Sequence, residues 1–191
     1  ESAAIAVCLL GAMTTLGLPG AMVFRNVNGI ALADQIYEPL WQKANELNAV
    51  IYIHPAHPLG VEAMEQYWLM PLVGFLMDTT LAAAHLVFAG VPERYPRITW
   101  VLCHMGGAIP YLAERLDRGF EAFADCRQNI DQLPSAYLKQ FYYDTVNFDA
   151  NASARPRMMQ LTTISEMKAA ISWCAAGRSA CSEKSATVTK V

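Results

Sequence analysis

Charged residues are scarce in this sequence. Only 16% of the 191 residues are Asp, Glu, Lys or Arg, and the formal net charge is -3. There is no basic run interleaved with aromatic residues, so we expect no nucleic-acid partner. Hydrophobic residues make up 54% of the chain, which is enough for a large core and too much for a disordered protein.

Paired cysteine motifs are also missing. The five cysteines are an odd number, are scattered, and include no CxxC spacing. This pattern argues against a disulfide framework and against a structural zinc knuckle. Scattered thiols are typical of a reducing compartment, so we expect a cytoplasmic protein.

No charge occurs between Ser2 and Phe24. A membrane span or a signal segment must therefore be considered. However, four glycine and proline residues between positions 11 and 20 interrupt the run, and no basic segment precedes it. A helix over 3–16 and a buried strand over 21–24 explain the same residues, because strands buried on both faces are continuously apolar. We expect no membrane association and keep a membrane-anchored protein as an alternative.

Helical and extended patterns alternate along the rest of the chain. The predicted helices cover 36–47, 78–89 with a cap at Asp78 or Thr79, and about 108–124, and the predicted strands cover 50–53, 98–103 and 141–146. A polar linker is expected over 125–135. Such alternation predicts an α/β fold with a parallel sheet and right-handed crossovers, either an open sheet or a barrel.

Two of the four histidines end apolar strands. His54 follows the strand at 50–53 and precedes a proline, and His104 follows the strand at 98–103. Sites in α/β enzymes lie at the carboxyl ends of strands, and neutral imidazole is both a common zinc ligand and the usual acid–base group. The pair predicts a metal or acid–base site, or else two hydrogen-bonded structural histidines. We expect His57 to be exposed and His85 to be packed in the core.

Gly106 and Gly107 follow His104 directly. Glycine allows close backbone approach to a ligand, and the start of the following helix favours an anion such as a carboxylate, although a simple tight turn is the alternative. Arg115, two turns along that helix, either reaches a substrate carboxylate across a subunit boundary, pairs with a neighbouring acid, or is solvated. Asp144 is a weaker candidate, as a site residue or as the partner of a buried histidine.

Four segments carry a family resemblance. IHPAHP, LVGFLMDTT, GVPERYPRITWVLCHMGGAIPYLAERLDRG and FYYDTVNFD occur in order and with natural spacing. Together they resemble the amidohydrolase-related family 2, the group of aminocarboxymuconate-semialdehyde decarboxylase and γ-resorcylate decarboxylase. The resemblance runs from about Gly11 to Asp149. It implies a (β/α)8 TIM barrel with one divalent metal, zinc or alternatively manganese, at the carboxyl ends of the strands.

The resemblance also implies residue roles. His54 matches a metal ligand, His104 matches the general acid–base, and Arg115 matches an arginine that binds a substrate carboxylate in a neighbouring subunit. Gly106 and Gly107, which allow close backbone approach, are expected to bind the substrate beside them. The implied activity is metal-dependent decarboxylation or hydrolysis of a small aromatic or unsaturated carboxylic acid by a homo-oligomer.

Two expected motifs are absent. The sequence contains neither the HxH pair nor the GSDYP-like segment with the late aspartate ligand, and it starts with Glu1 rather than Met. We therefore expect part of a longer protein, with an incomplete barrel over 1–150 that lacks its first and last strands. A divergent C-terminal segment over 151–191 is expected to hold a helix at 164–175 and a frayed tail. The alternative to an enzyme is a catalytically inactive remnant or a partner-binding module whose metal site is empty.

Overall fold

The computed structural model describes residues 2–27, 29–146 and 160–161. Helices and strands alternate through most of this range. In chain order they are α1 (Ser2–Thr15), β1 (Gly20–Phe24), β2 (Asn26–Val27), β3 (Ile30–Ala31), α2 (Glu38–Glu46), β4 (Val50–His54), α3 (Phe75–Phe88), α4 (Val91–Arg94), β5 (Thr99–Leu102), α5 (Ile109–Ala122), α6 (Pro134–Leu138), β6 (Tyr142–Tyr143) and β7 (Gln160–Leu161).

The main sheet is parallel and has the order β1-β4-β5-β6-β7. Phe24 pairs with His54, and Ile53 pairs with Leu102, so the strand ends that precede the two candidate histidines are level. The predicted α/β alternation is confirmed. A closed (β/α)8 barrel has eight parallel strands, and the described residues form five strands of one parallel sheet.

Gly20 explains how β1 joins the sheet. A Cβ atom at this position would lie 1.8 Å from the carbonyl oxygen of Val50 on β4. Only glycine permits that approach, because any other residue would push the two backbones apart.

The sheet has two different faces. We call one the helix face, because Ile51, Ile53, Trp100 and Leu102 pack there into one cluster with buried residues of α1, α2 and α3. We call the other the site face, where the buried residues are Tyr52, Val101 and Cys103. Alternation along each strand produces this division, because successive side chains point to opposite sides.

The start of α3 differs from the prediction. A π-helical turn over Met70–Gly74, with Pro71 near its start, leads directly into α3 at Phe75. Asp78 and Thr79 lie inside the helix and are buried, so the predicted cap at either residue is wrong. The short helix α6 was not predicted, and the C-terminal helix predicted over 164–175 lies outside the described residues.

The apolar N-terminal run is divided as predicted. Helix α1 has 14 residues, fewer than the roughly 20 that a membrane span needs, and the rest of the run forms β1 within the sheet. By length and composition, one stretch of the described residues does pass that test, Met70–Phe88. Its α3 portion carries buried core residues, namely Ala82, Ala83, Leu86 and Val87.

Candidate active site

His54 and His104 lie together at the carboxyl ends of β4 and β5. Their ring centroids are 5.4 Å apart. Phe75, the first residue of α3, contacts both rings: it stacks on His104 at 6.0 Å and meets His54 edge-on at 6.2 Å. The prediction that two strand-end imidazoles share one edge of the sheet is confirmed.

The ring of His54 is fixed by its neighbour. Its Nδ1 atom lies 2.6 Å from the carbonyl oxygen of Pro55, which can only accept a hydrogen bond. Nδ1 therefore carries the proton, and in the neutral ring Nε2 keeps its lone pair. This is the arrangement typical of a metal-ligating histidine.

His104 sits in an unusual backbone turn. His104 and Met105 both have positive φ angles, 53° and 52°, which non-glycine residues seldom adopt. Such strain persists only where the surroundings hold it, and it concentrates at functional sites. Burial lowers the pKa of His104; the Asp144 carboxylate opposes this shift and His54 adds to it. On balance the neutral imidazole is favoured.

Asp144 stabilises this turn. Its Oδ1 accepts hydrogen bonds from the backbone N–H groups of Met105 at 3.0 Å and Val146 at 3.1 Å, and its Oδ2 accepts one from the Tyr52 hydroxyl at 2.8 Å. The side chain is 1% exposed. A buried carboxylate is tolerated here because three donors satisfy it, and it joins β4, the His104 turn and the end of β6.

Cys103 and Thr79 complete the surroundings of His104. The Cys103 Sγ atom lies 3.0 Å from His104 Nδ1 and 3.2 Å from Thr79 Oγ1. Burial raises the pKa of Cys103 to about 12, so the group is a neutral thiol. Sequence reasoning missed both residues, although strand alternation places Cys103 on the same face as Val101.

A buried ion pair lies behind the site. Arg25 follows β1, and its backbone N–H donates to the carbonyl of His54 at 3.2 Å. Its Nε atom lies 2.7 Å from Oδ1 of Asp78 on α3, and both side chains are 2% exposed. The pair therefore ties the end of the strand that carries His54 to helix α3.

A model of the Amidohydro_2 family, described as amidohydrolase, matches residues 3–166. The chain belongs to the amidohydrolase family. It is 36% identical over 138 residues to a 2-amino-3-carboxymuconate-6-semialdehyde decarboxylase of Dictyostelium discoideum, a match covering 72% of this chain and 38% of that protein. It is 30% identical over 106 residues to a 6-methylsalicylic acid decarboxylase of Penicillium expansum, covering 54% and 33%.

Solved decarboxylase structures share the fold. The 5-carboxyvanillate decarboxylase LigW of Sphingomonas paucimobilis superposes with a TM-score of 0.78 at 23% identity, covering 85% of this chain and 52% of that one. A dihydroxybenzoic acid decarboxylase of Polaromonas sp., solved with bound manganese and an inhibitor, gives 0.73 at 22% identity, covering 85% and 55%. The fold is thus of the TIM-barrel type. The chain spans about a third to a half of the length of the relatives it matches.

The two imidazoles of the site offer nitrogen donors that fit the metal implied by the amidohydrolase family. One ligand atom from each of His54, Cys103 and His104 lies within 4.8 Å of the other two. Imidazole nitrogen suits zinc, whereas the neutral Cys103 thiol is already bonded to Thr79 and His104, and catalytic zinc sites use three protein ligands. His54 is the clearest ligand, because its Nε2 lone pair is left free by the bond to Pro55.

The glycine turn packs against α3. A Cβ atom on Gly107 would lie 2.1 Å from the Leu76 carbonyl oxygen and 2.7 Å from Thr80 Oγ1, so helix packing already requires glycine there. The Ala108 N–H, just before α5, donates to Thr80 Oγ1 at 2.8 Å. Gly106 is buried with a φ of 78°. The predicted contact of these glycines with a substrate stays a prediction.

Arg115 lies exposed on α5, and among the described residues no carboxylate lies within ion-pair distance of it. The pairing with Glu114 or Asp117 does not form. Glu114 instead lies near Arg118 at 3.8 Å, and Asp117 accepts the Ser135 N–H at 2.8 Å. A solvated Arg115 leaves its guanidinium available to a group outside the chain.

The remaining histidines do not join the site. His57 is exposed in the loop after β4, as predicted. His85 is exposed on α3, so the prediction that it packs in the core is wrong. The small alanines around it suggest burial, but the structure leaves this side chain exposed.

Proposed function

We propose that this chain carries part of the active site of a metal-dependent amidohydrolase that decarboxylates, or alternatively hydrolyses, a small aromatic or unsaturated carboxylic acid. The observation that carries the proposal is the His54–His104 pair, 5.4 Å apart at the strand ends. The names of the curated relatives, decarboxylases of carboxymuconate semialdehyde and methylsalicylic acid, favour decarboxylation over hydrolysis.

In this proposal His54 holds the divalent ion through Nε2. Zinc is favoured over manganese, because the free donor is an imidazole nitrogen whereas manganese prefers oxygen ligands. The carboxylate closest to the turn, Asp144, is already engaged with three hydrogen-bond donors. A bound ion would supply Lewis-acid polarisation of the substrate.

His104 is proposed to move the proton. When the bond to the carboxylate breaks and carbon dioxide leaves, the electron pair stays on the ring or chain carbon, which must then take up a proton. His104 would deliver that proton from Nε2 after taking it up from water, and would return to the neutral imidazole that its surroundings favour. Phe75, stacked on the ring, would keep bulk water off one side of it.

Arg115, Gly106 and Gly107 are proposed as substrate-side residues. Arg115 is exposed and carries no ion pair within the described residues, so it would meet a carboxylate bound in a neighbouring copy of a homo-oligomer. A cytoplasmic location and the division into a barrel part over 1–150 and a C-terminal segment over 151–191 also stay proposals.

Metal analysis and carbon dioxide release test the proposal on the full 191-residue chain. We expect near-stoichiometric zinc and release of carbon dioxide from 2,6-dihydroxybenzoate or 6-methylsalicylate. His54→Ala should lose both, whereas the exposed neighbour variant His57→Ala should keep both. Protein that takes up no divalent metal and releases no carbon dioxide would instead identify an inactive or partner-binding module.

A further inference from the structure

We propose that Cys103 is a positioning residue that fixes neutral His104 as the tautomer protonated on Nδ1. The geometry is a one-way chain of three hydrogen bonds, from the His104 ring through the Cys103 thiol and the Thr79 hydroxyl to the Phe75 carbonyl oxygen. Each group in this chain has only one proton to donate. The direction of every bond is therefore set by the last one.

The last bond belongs to Thr79. Its Oγ1 atom has two neighbours that could accept its proton, the Phe75 carbonyl oxygen at 3.0 Å and the Cys103 sulfur at 3.2 Å. Sulfur is the weaker acceptor, and a helical threonine commonly bonds the carbonyl four residues back. The hydroxyl therefore donates to Phe75, and its oxygen is left to accept.

The thiol proton then has one place to go. Cys103 is 0% exposed, and its Sγ contacts Thr79 Oγ1 and His104 Nδ1. Because Thr79 has no proton left to give, the S–H donates to its oxygen. The sulfur then presents only a lone pair to His104 Nδ1 at 3.0 Å, and a lone pair is satisfied only by an N–H.

The consequence is that both imidazoles present the same atom to the site. Nδ1–H of His54 is directed at the Pro55 carbonyl, and Nδ1–H of His104 at the Cys103 sulfur. Both Nε2 atoms keep their lone pairs. The tautomer follows from the hydrogen bonds alone, but its catalytic meaning, proton uptake and delivery at Nε2, rests on the proposed function.

Histidine nitrogen NMR tests the tautomer without any assay of activity. In chelator-treated, 15N-histidine-labelled full chain near pH 8, two-bond proton–nitrogen spectra distinguish protonated from unprotonated ring nitrogens. We expect a protonated Nδ1 and an unprotonated Nε2 for His104, assigned by loss of its signals in His104→Gln. A wild-type His104 protonated on Nε2 would overturn the proposal.

Thr79→Val is the decisive variant, because it removes the acceptor while keeping the shape. The thiol is then free to donate to Nδ1, so the His104 tautomer should reverse to Nε2–H. Cys103→Ala should give a mixture of tautomers, and Cys103→Ser should preserve the wild-type pattern because a hydroxyl also has one donor. Cys126→Ala, outside the cluster, is the matched control and should change nothing. An unchanged tautomer in both Thr79→Val and Cys103→Ala would contradict the proposal.

Activity separates this inference from the proposed function. Thr79→Val should lower kcat about tenfold or more with KM changed by less than about twofold, and Thr79→Ser should restore it. Far-UV circular dichroism confirms that each variant is folded. If the tautomer reverses as expected but the wild type has no decarboxylase activity, only the proposed function fails. If the wild type is active but its His104 carries the proton on Nε2, only this inference fails.

Discussion

The two faces of the central sheet differ in what they bury. The helix face contributes to a cluster of 23 buried residues, whereas the cluster on the site face has three. The site face instead collects buried polar groups, including the Asp144 carboxylate, the Cys103 thiol and the Tyr52 hydroxyl. The comparison predicts that stability depends mainly on the helix face and the proposed chemistry on the site face. Substitutions on the two faces should therefore separate the two properties.

The largest separation is expected for His104→Gln. Loss of a general acid–base group should lower kcat about 10²- to 10⁴-fold. The free energy of unfolding should change by less than about 1 kcal/mol, because the ring is only partly buried and adds little to the core. Steady-state kinetics and urea unfolding measure the two effects. His85→Gln, exposed on α3, is the control, and equal losses of activity in both variants would refute the assignment.

A core truncation on the helix face should have the opposite result. Leu102 is 0% exposed, so Leu102→Ala should lower the free energy of unfolding by about 2–5 kcal/mol. Met22, on the site face of β1, is only partly buried. Met22→Ala removes a similar volume from a partly exposed position and should cost less, about 1 kcal/mol. Urea unfolding of both variants measures these changes. Equal losses in the free energy of unfolding would mean that both faces of the sheet contribute to the core.

Asp144→Asn tests whether the site face has a structural role through polar contacts. The variant removes the charge that three donors satisfy and turns an N–H₂ group toward one of them. We expect a loss of about 1–3 kcal/mol in the free energy of unfolding. Tyr52→Phe, which removes only the third donor, should cost less. Thermal and urea unfolding give the values, and a neutral Asp144→Asn would show that the carboxylate charge is not needed.

The smallest predicted effect depends on pH. Tyr143 is 0% exposed, donates to the Leu138 carbonyl at 2.7 Å, and its pKa is raised by burial. Because its pKa is raised in the folded state, Tyr143 makes its full contribution to the free energy of unfolding below the unfolded-state pKa near 10. That contribution is lost as the pH rises through the folded-state pKa. At pH 10.5 the ionised unfolded phenol costs the wild type about 1 kcal/mol. The difference between the urea midpoints at pH 8 and pH 10.5 should therefore be smaller in Tyr143→Phe than in the wild type.

The strands and the histidine pair could be predicted from the sequence. Runs such as VIYI favour extended structure, and Pro55 keeps His54 out of a helix. Since both strands are parallel, the histidines that follow them had to meet at one edge. That inference needs only strand order and direction, which alternation along the chain supplies.

The contacts that surround those histidines could not be predicted in the same way. Thr79 meets Cys103 across 24 residues, and Asp144 meets Tyr52 across 92, so their contacts depend on how α3 and β6 are placed. The start of α3, predicted at Asp78 or Thr79 and found at Phe75, also could not be read from the sequence. The π-helical turn at Met70–Gly74 is as apolar as the helix it precedes, and no polar cap marks the boundary.

The ion pair between Arg25 and Asp78 constrains how this protein can evolve. Arg25 Nη2 and Asp78 Oδ2 are buried and have no hydrogen-bond partner within the described residues, so each charge depends mainly on the other. Removing either alone leaves an uncompensated buried charge, at a cost of about 3–5 kcal/mol, whereas replacing both with apolar side chains of similar volume is often neutral. Substitutions at positions 25 and 78 are therefore expected to occur together.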